Sequence, residues 1–253
     1  MRRAFACCAV LGALAWTGCA TRQPASPARP SHLSLRDGWE AARIVYIGEK
    51  HDEASHHRFE EKVLHTIHGR EKTVTVGMEM VDVTQQAALD EYLGKQISWN
   101  EFVNRTAFDR GWGKTSPAYK RILSWCRNNA VPVLALNAPP AVTRKLARNE
   151  PLTAEEAKFI PTDPGPPGGF KRFTAEMAGH GAGASLRLYY KAQRAWDQTM
   201  AGRILDWLPE HPGTLVVLLG RFHADPRTGV PWYVAKKSRV KQIVLYPEQK
   251  QEQ

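Results

Sequence analysis

The chain is poor in cysteine, in membrane-length apolar runs and in acidic residues, and each shortage removes a class of protein. Only four of its 253 residues are cysteine, at positions 7, 8, 19 and 126. Three of them crowd the first nineteen residues, so Cys126 is the single thiol of everything that follows. An intramolecular disulfide in that body is impossible, and no C-x-x-C pair offers a redox or thiolate zinc centre. A domain of this size is stable without one. The N-terminal apolar stretch, Ala4 to Trp16, is too short to cross a bilayer as a helix, which takes about 20 residues. No internal repeat and no collagen-like or low-complexity period is present. Acids are the scarcer charge, 25 Asp plus Glu against 35 Lys plus Arg, for a net +10. That excess does not indicate nucleic acid. The bases, such as Arg105, Arg110, Lys120, Arg127 and Arg148, are dispersed over several predicted elements, and no DNA or RNA motif accompanies them. What remains is ordinary globular composition, 43% hydrophobic and 24% charged, which excludes a mainly disordered chain.

The N-terminus reads as an address. Arg2 and Arg3 precede the apolar stretch, as the n-region precedes the h-region of a signal peptide. The stretch runs into Leu14-Ala15-Trp16-Thr17-Gly18-Cys19, which resembles a bacterial lipobox. The expectation is a lipoprotein signal peptide over 1–18, lipidation at Cys19, and a Pro/Ala/Ser tether over 19–30 that holds the domain off the membrane. Loss of Arg2 and Arg3 leaves 33 bases and a charge of +8. A chain anchored this way sits in the bacterial cell envelope, at the periplasmic face, where its partners are envelope anions and membrane rather than nucleic acid.

The rest is expected to form one domain over 31–247, followed by a polar tail over 248–253. Five short runs rich in Val, Ile and Leu stand out: 43–48, 73–78, 131–136, 214–219 and 242–246. They are continuous rather than alternating, which is the pattern of strands buried on both faces of a parallel sheet. Helical spacing separates most of them. Glu53–His68 places Phe59, Val63, Leu64 and Ile67 on one face. Thr84–Leu93 is shorter, Ser116-Pro117 opens a helix to about Arg127, Thr153-Ala154-Glu155-Glu156 fits a capping box, and Ser185–Trp207 is the longest pattern. Strand–helix alternation predicts a single α/β domain with a mainly parallel central sheet flanked by helices. Residues 161–184, dense in Pro and Gly, are expected to form a lid loop.

Polar residues follow four of the five runs directly: Gly48-Glu49-Lys50-His51-Asp52, Gly77-Met78-Glu79-Met80, Asn137-Ala138-Pro139-Pro140 and Gly220-Arg221-Phe222-His223. In an open parallel sheet, ligands bind where the carboxyl ends of the strands converge. Glu49, His51, Glu79, Asn137 and His223 are therefore expected to face one crevice. Imidazole and carboxylate donors of this kind suit a divalent metal such as Mn or Zn, with His51, Glu79 and His223 as candidate ligands and a spare carboxylate as general base. A metal-free alternative uses a histidine as general base, and a purely structural role for the carboxylates is the third reading. On the long helix, Tyr189, Gln193, Trp196, Asp197 and Met200 share one face, and the two polar members, Gln193 and Asp197, are expected to orient a histidine or bind a loop amide. His180, in the Gly-rich loop, is a weaker candidate ligand.

Taken together, these residues resemble the ChaN-like haem-binding uptake lipoproteins of the Tiki superfamily. The resemblance rests on Ile47–Asp52 with His56-His57, Gly77–Met80 with Gln85-Gln86 and Leu89–Leu93, Trp112, Tyr119, Leu136–Pro139, Ala192–Ala201 and Leu219–His223, and it runs from about 43 to 245. It implies an α/β fold, membrane anchorage, haem as ligand, and a role in iron acquisition. It is also consistent with a homodimer that holds haem between its copies. The wider superfamily includes metal-dependent peptidases with two G-x-x-H motifs and a glutamate, matched here by Gly48–His51, Gly220–His223 and Glu79. Erythromycin-esterase-like enzymes look like more distant relatives. The resemblance thus carries haem binding first and a metal-dependent hydrolase second, and it leaves the haem iron ligand open between Tyr and His.

Overall fold

The computed structural model describes residues 42–70, 73–177 and 184–247. The lipobox with Cys19, the tether, His180 with its Gly-rich loop and the tail 248–253 lie outside the described residues. Five parallel strands, β1 (Ile44–Glu49), β2 (Val74–Asp82), β3 (Val133–Asn137), β4 (Thr214–Gly220) and β5 (Gln242–Leu245), form one sheet in the order β3-β2-β4-β1-β5. Every residue of β1, β2 and β4 is buried. Both faces of those strands are covered, so neither face calls for polar residues and the apolar runs read as continuous.

Successive residues still point to opposite faces, and they sort into two cores. On one face Val45, Ile47, Val76, Met78, Val216 and Leu218 pack against α1 (Ala54–His68), α2 (Gln86–Leu93), α3 (Trp99–Thr106), α4 (Phe108–Trp112) and α5 (Ser116–Asn128). On the other, Ile44, Tyr46, Leu215, Val217 and Leu219 pack against α8 (Ala184–Trp207) and α9 (Val230–Lys237). There α6 (Pro140–Arg148) adds Val142 and Leu146 against Ala192 and Ala195 of α8. Cys126 is buried in the first core, and burial pushes its thiol up to about 12, so it stays a protonated apolar group. No helix among the described residues is long and apolar enough to cross a membrane.

The strands fall within a few residues of their expected bounds, and the α/β class with a parallel sheet is what forms. Several local expectations fail. The segment 161–184 is not a loop throughout, because α7 (Gly169–Glu176) occupies its middle. Gly168, in the left-handed region at φ +72°, ends the irregular strap and starts that helix. The Thr153–Glu156 box closes both of its reciprocal bonds but opens only a single 3-10 turn, Glu156–Phe159. Tyr189 does not share the buried face of α8. It is 46% exposed, and it is Tyr190 that turns inward, against Phe170 and Phe173 of α7.

Candidate functional site

The parallel register delivers the site. β1 and β4 are neighbours with Glu49 opposite Gly220, so the two G-x-x-H motifs lie side by side, staggered by one residue. β2 flanks β4 on its other edge, with Met78 opposite Leu218, and brings Glu79 to the same level. The backbone N–H of Gly220 donates to Glu79 Oε2 at 2.6 Å. A Cβ at Gly220 would stand 2.9 Å from His51 Nε2 and 3.6 Å from Glu79 Oε2, so the missing side chain is what lets the imidazole and the carboxylate close on β4. Gly48 serves a similar end: a Cβ there would collide with the Tyr246 ring at 2.6 Å and with Ala224 at 2.8 Å. The glycines of the two motifs are thus explained by close approach.

Each histidine is braced at Nδ1 by a buried carboxylate. His51 Nδ1 lies 2.8 Å from Glu49 Oε1, and Tyr119 donates its hydroxyl to the same oxygen at 2.7 Å. The edge of Trp112 fixes the His51 ring, with centroids 4.8 Å apart. His223 Nδ1 lies 2.7 Å from Asp197 Oδ1, and the Gln193 side-chain amide is 2.9 Å from that nitrogen. The other ring nitrogen of His223 faces Glu79 Oε1 at 3.4 Å. Burial works against charge on His223, but Glu79 and Asp197 outweigh it and raise the imidazole to about 9. His51 is raised for the same reason, by Glu49 and Glu79. Asp197 is pushed up by its own burial, partly offset by His223. Glu79, Asn137 and His223 line a cavity of about 280 Å³ whose walls include Met80, Phe108, Trp112 and Trp196.

Behind His51 lies a group that the strand-end pattern does not indicate. His56 and His57 open the buried stripe of α1. His56 Nδ1 accepts from the Lys50 amide at 2.8 Å and so fixes the loop after β1. His57 donates from Nε2 to the His51 carbonyl at 2.9 Å, while its Nδ1 stands 3.1 Å from both Glu49 Oε2 and Glu60 Oε2. Both ring nitrogens face acceptors, so His57 is an imidazolium; burial opposes this, and Glu49 and Glu60 raise it to about 10. Glu49 is held well below the usual carboxylate range, because hydrogen bonds from His51 and His57 overcome its burial. Glu60 is pushed well above that range by burial and by the Glu49 charge. Glu60 Oε1 is buried without a hydrogen-bond partner among the side chains and amides around it, and a proton on Glu60 shared with Glu49 meets that need.

The seven expected site residues are therefore distributed as follows. Glu49 and His51 sit together, Gln193, Asp197 and His223 sit together, Glu79 stands between the two histidines, and Asn137 closes the cavity edge while accepting from the Ala138 amide at 3.0 Å. The His51, Glu79 and His223 trio is not the tightest set of metal donors. Among the described residues that set is Glu49, His57 and Glu60, whose ligand atoms all lie within 4.8 Å of one another. Glu60 escaped the sequence reading. Its signal was there, as a glutamate three residues after His57 on the same helical stripe as Val63, Leu64 and Ile67.

The profile of a family described as haem-binding uptake, Tiki superfamily, ChaN matches residues 35–234. The chain belongs to this ChaN family. Its fold is that of the ChaN of Campylobacter jejuni, solved with cofacial haem bound, at 20% identity over 85% of this chain and 84% of that one, with a TM-score of 0.64. The fold is also similar to that of an erythromycin esterase, EreC, at 13% identity over 82% of this chain and 70% of that one, with a TM-score of 0.50. No curated protein matches the chain.

Proposed function

We propose that this ChaN-family chain binds haem at the carboxyl-end face of its sheet and serves haem or iron uptake as a lipid-anchored envelope protein. The family profile over residues 35–234 is the observation that carries the reading. The site fits the ligand chemically. A histidine that binds metal through one ring nitrogen and gives its other N–H to a carboxylate is a common donor arrangement, and His223 with Asp197 and His51 with Glu49 each have it. Phe108, Trp112 and Trp196 offer apolar surface beside them. At about 280 Å³ the cavity is at or below the low end of drug-sized pockets, which run from about 300 to 1,000 Å³. A porphyrin is therefore received in part and covered from outside, and the cofacial haem binding of the Campylobacter jejuni protein supports a second copy of the chain as that cover. Within the same reading, residues 1–18 are a signal peptide, Cys19 carries the lipid, 19–30 is the tether and the domain faces the periplasm.

The test is a haem titration of the full chain carrying Cys19→Ser, followed by absorption and by light scattering. A saturable Soret shift with a rise from one copy to two is the expected result. A folded protein that gives no Soret shift ends the reading.

A second reading has an observation of its own. Two imidazoles braced by carboxylates on either side of Glu79 can take and give protons, which is what hydrolysis needs. In that reading Glu79 with His51 and His223 is the reactive centre, with or without a Mn- or Zn-class ion. Metal analysis of the same preparation, with turnover of a peptide or ester substrate, separates it from haem binding.

A further inference from the structure

One group of metal-ligating side chains stands outside the strand-end cavity. Glu49, His57 and Glu60 are 1%, 3% and 0% exposed, and each places a ligand atom within 4.8 Å of the other two. β1 supplies Glu49, and the buried stripe of α1 supplies the other two at i and i+3. None of the three lines the cavity between the braced histidines.

Their spacing is that of ligands around one ion. His57 Nδ1 stands 3.1 Å from Glu49 Oε2 and 3.1 Å from Glu60 Oε2. One N–H cannot be aligned with both oxygens, and 3.1 Å is near the long end of such bonds, which run from about 2.7 to 3.2 Å. Ligands at right angles, about 2.1–2.2 Å from a common ion, stand about 3.0–3.1 Å apart. The three donors therefore need little movement to close on a cation.

Two observations outside that triangle point the same way. His57 donates from Nε2 to the His51 carbonyl at 2.9 Å. A metal-bound imidazole almost always gives its second N–H to a carbonyl or carboxylate, which fixes the ring and turns the other nitrogen to the ion. Here that other nitrogen is the one facing both carboxylates. The second observation is Glu60 Oε1, which is buried on a fully buried residue and receives no bond from any side chain or amide around it. Its sister oxygen is already in the cluster, so a carboxylate that grips an ion through both oxygens uses it. Glu49 is held from the far side. Its Oε1 takes the Tyr119 hydroxyl and His51 Nδ1, which leaves Oε2 turned to His57.

We propose that Glu49, His57 and Glu60 form a buried site for a divalent ion of the Mn or Zn class, distinct from the trio of His51, Glu79 and His223. Two carboxylates and an imidazole are donors that such ions take. The charge balances. Without the ion the cluster holds the Glu49 anion, the His57 imidazolium and the proton shared between the carboxylates. One dication entering breaks the Nδ1–H and O–H bonds, forms bonds from the metal to Nδ1 and to the carboxylate oxygens, and releases two protons to solvent. The cluster is neutral in both forms, so neither buries a net charge. Through Glu49 the ion reaches His51, whose side chain is 34% exposed, and braces the β1 arm from behind. The site is independent of the haem reading, because its donors are not those offered to haem.

Manganese chloride, given to the chelator-stripped full chain carrying Cys19→Ser, tests it, with long incubation because the donors are buried. One Mn per chain should remain after free ion is removed, and the melting temperature should rise. Pulsed EPR of the bound ion in wild type should show nitrogen coupling from one histidine, whereas the strand-end trio would give two. Glu60→Gln keeps the side chain's size and should weaken Mn binding by about tenfold or more, since even the outer partner of a metal-bound histidine is worth about 10–100-fold. Glu79→Gln should retain the ion. Four outcomes overturn the proposal: no saturable Mn binding by the folded chain, a two-histidine spectrum, Glu60→Gln binding as wild type, or a folded Glu79→Gln that loses the ion.

Discussion

The two histidine arms of the strand-end site resemble each other in outcome and differ in construction. On the β1 arm the bracing carboxylate, Glu49, comes from the same strand, two residues before His51, and is itself embedded among Tyr119, His57 and Glu60. On the β4 arm the bracing carboxylate, Asp197, comes from α8, 26 residues before His223, with Gln193 one helical turn away. The first arm is locked by a buried network of charges that must balance. The second is locked by the docking of one helix face on the sheet. A buried network is unforgiving of a lost partner, whereas a single bracing bond can be weakened without exposing other charges. The β1 arm should therefore be the part of the site that stability depends on, and the β4 arm the part that can be tuned.

Glu49→Ala is the strongest way to break that contrast. It strands the His57 imidazolium and the Tyr119 hydroxyl in a buried site, and loss of one partner of a buried pair costs about 3–5 kcal/mol. Urea denaturation should show that loss, and Glu49→Gln, which keeps the shape but not the charge, should recover only part of it. A loss below about 1 kcal/mol, the usual scale of an exposed pair, would mean that Glu49 is not the anion on which the cluster is built.

Asp197→Asn should have a smaller effect on the fold and a specific one on His223. Asn keeps an acceptor for the Nδ1 proton but removes the charge, at a cost of about 1–3 kcal/mol. The His223 imidazole, held at about 9 by Glu79 and Asp197, should titrate lower, while His51 should move little because its brace is Glu49. Imidazole proton shifts followed by NMR across pH 5–10 would read both. If His51 and His223 move together, the two arms are one coupled unit through Glu79 and are not separately built. Haem affinity should fall about 10–100-fold if His223 is an iron ligand, as it does elsewhere when the partner of a metal-bound histidine is lost.

The same contrast explains what was legible in the sequence. Glu49, His51, Glu79, Asn137 and His223 could be read because each follows an apolar run closely, and a parallel sheet aligns such ends. Asp197 and Gln193 could be read because two polar residues broke the buried stripe of α8. Glu60 was legible only from its place on the stripe of His57, Val63, Leu64 and Ile67, because composition gives no sign that one glutamate turns inward beside Glu61 and Lys62. The missed helices have local causes as well. α3 has a complete capping box, Ser98 to Glu101, but only Phe102 and Thr106 are buried on it, too short a stripe to stand out. α7 is hidden in a segment rich in Pro and Gly, and its formation depends on the left-handed Gly168 and on Phe173 packing against Tyr190. Such contacts are tertiary, and one-dimensional periodicity does not carry them.

The smallest expected effect is the sharpest test of how the β1 arm balances its charge. Glu60 is held protonated, so Glu60→Gln replaces one neutral group with another and should change stability by less than about 1 kcal/mol at pH 5. A carboxyl whose pKa is raised on folding binds its proton more tightly in the folded state. Its stabilising share is therefore complete below the unfolded value and is lost as pH rises toward the folded one. Wild type should lose that share on the way to pH 9 and the glutamine variant should not, so the variant gains relative stability as pH rises. The His57 share has the same sign: it is complete below the ordinary histidine value and is lost in both proteins as pH rises toward about 10. Urea denaturation of the pair at pH 5 and pH 9 would expose the difference. If Glu60→Gln is instead equally destabilised at both, Glu60 is an anion paired with His57, the proton between the two carboxylates does not exist, and Glu49 loses its place as the single charge that the arm is built to hold.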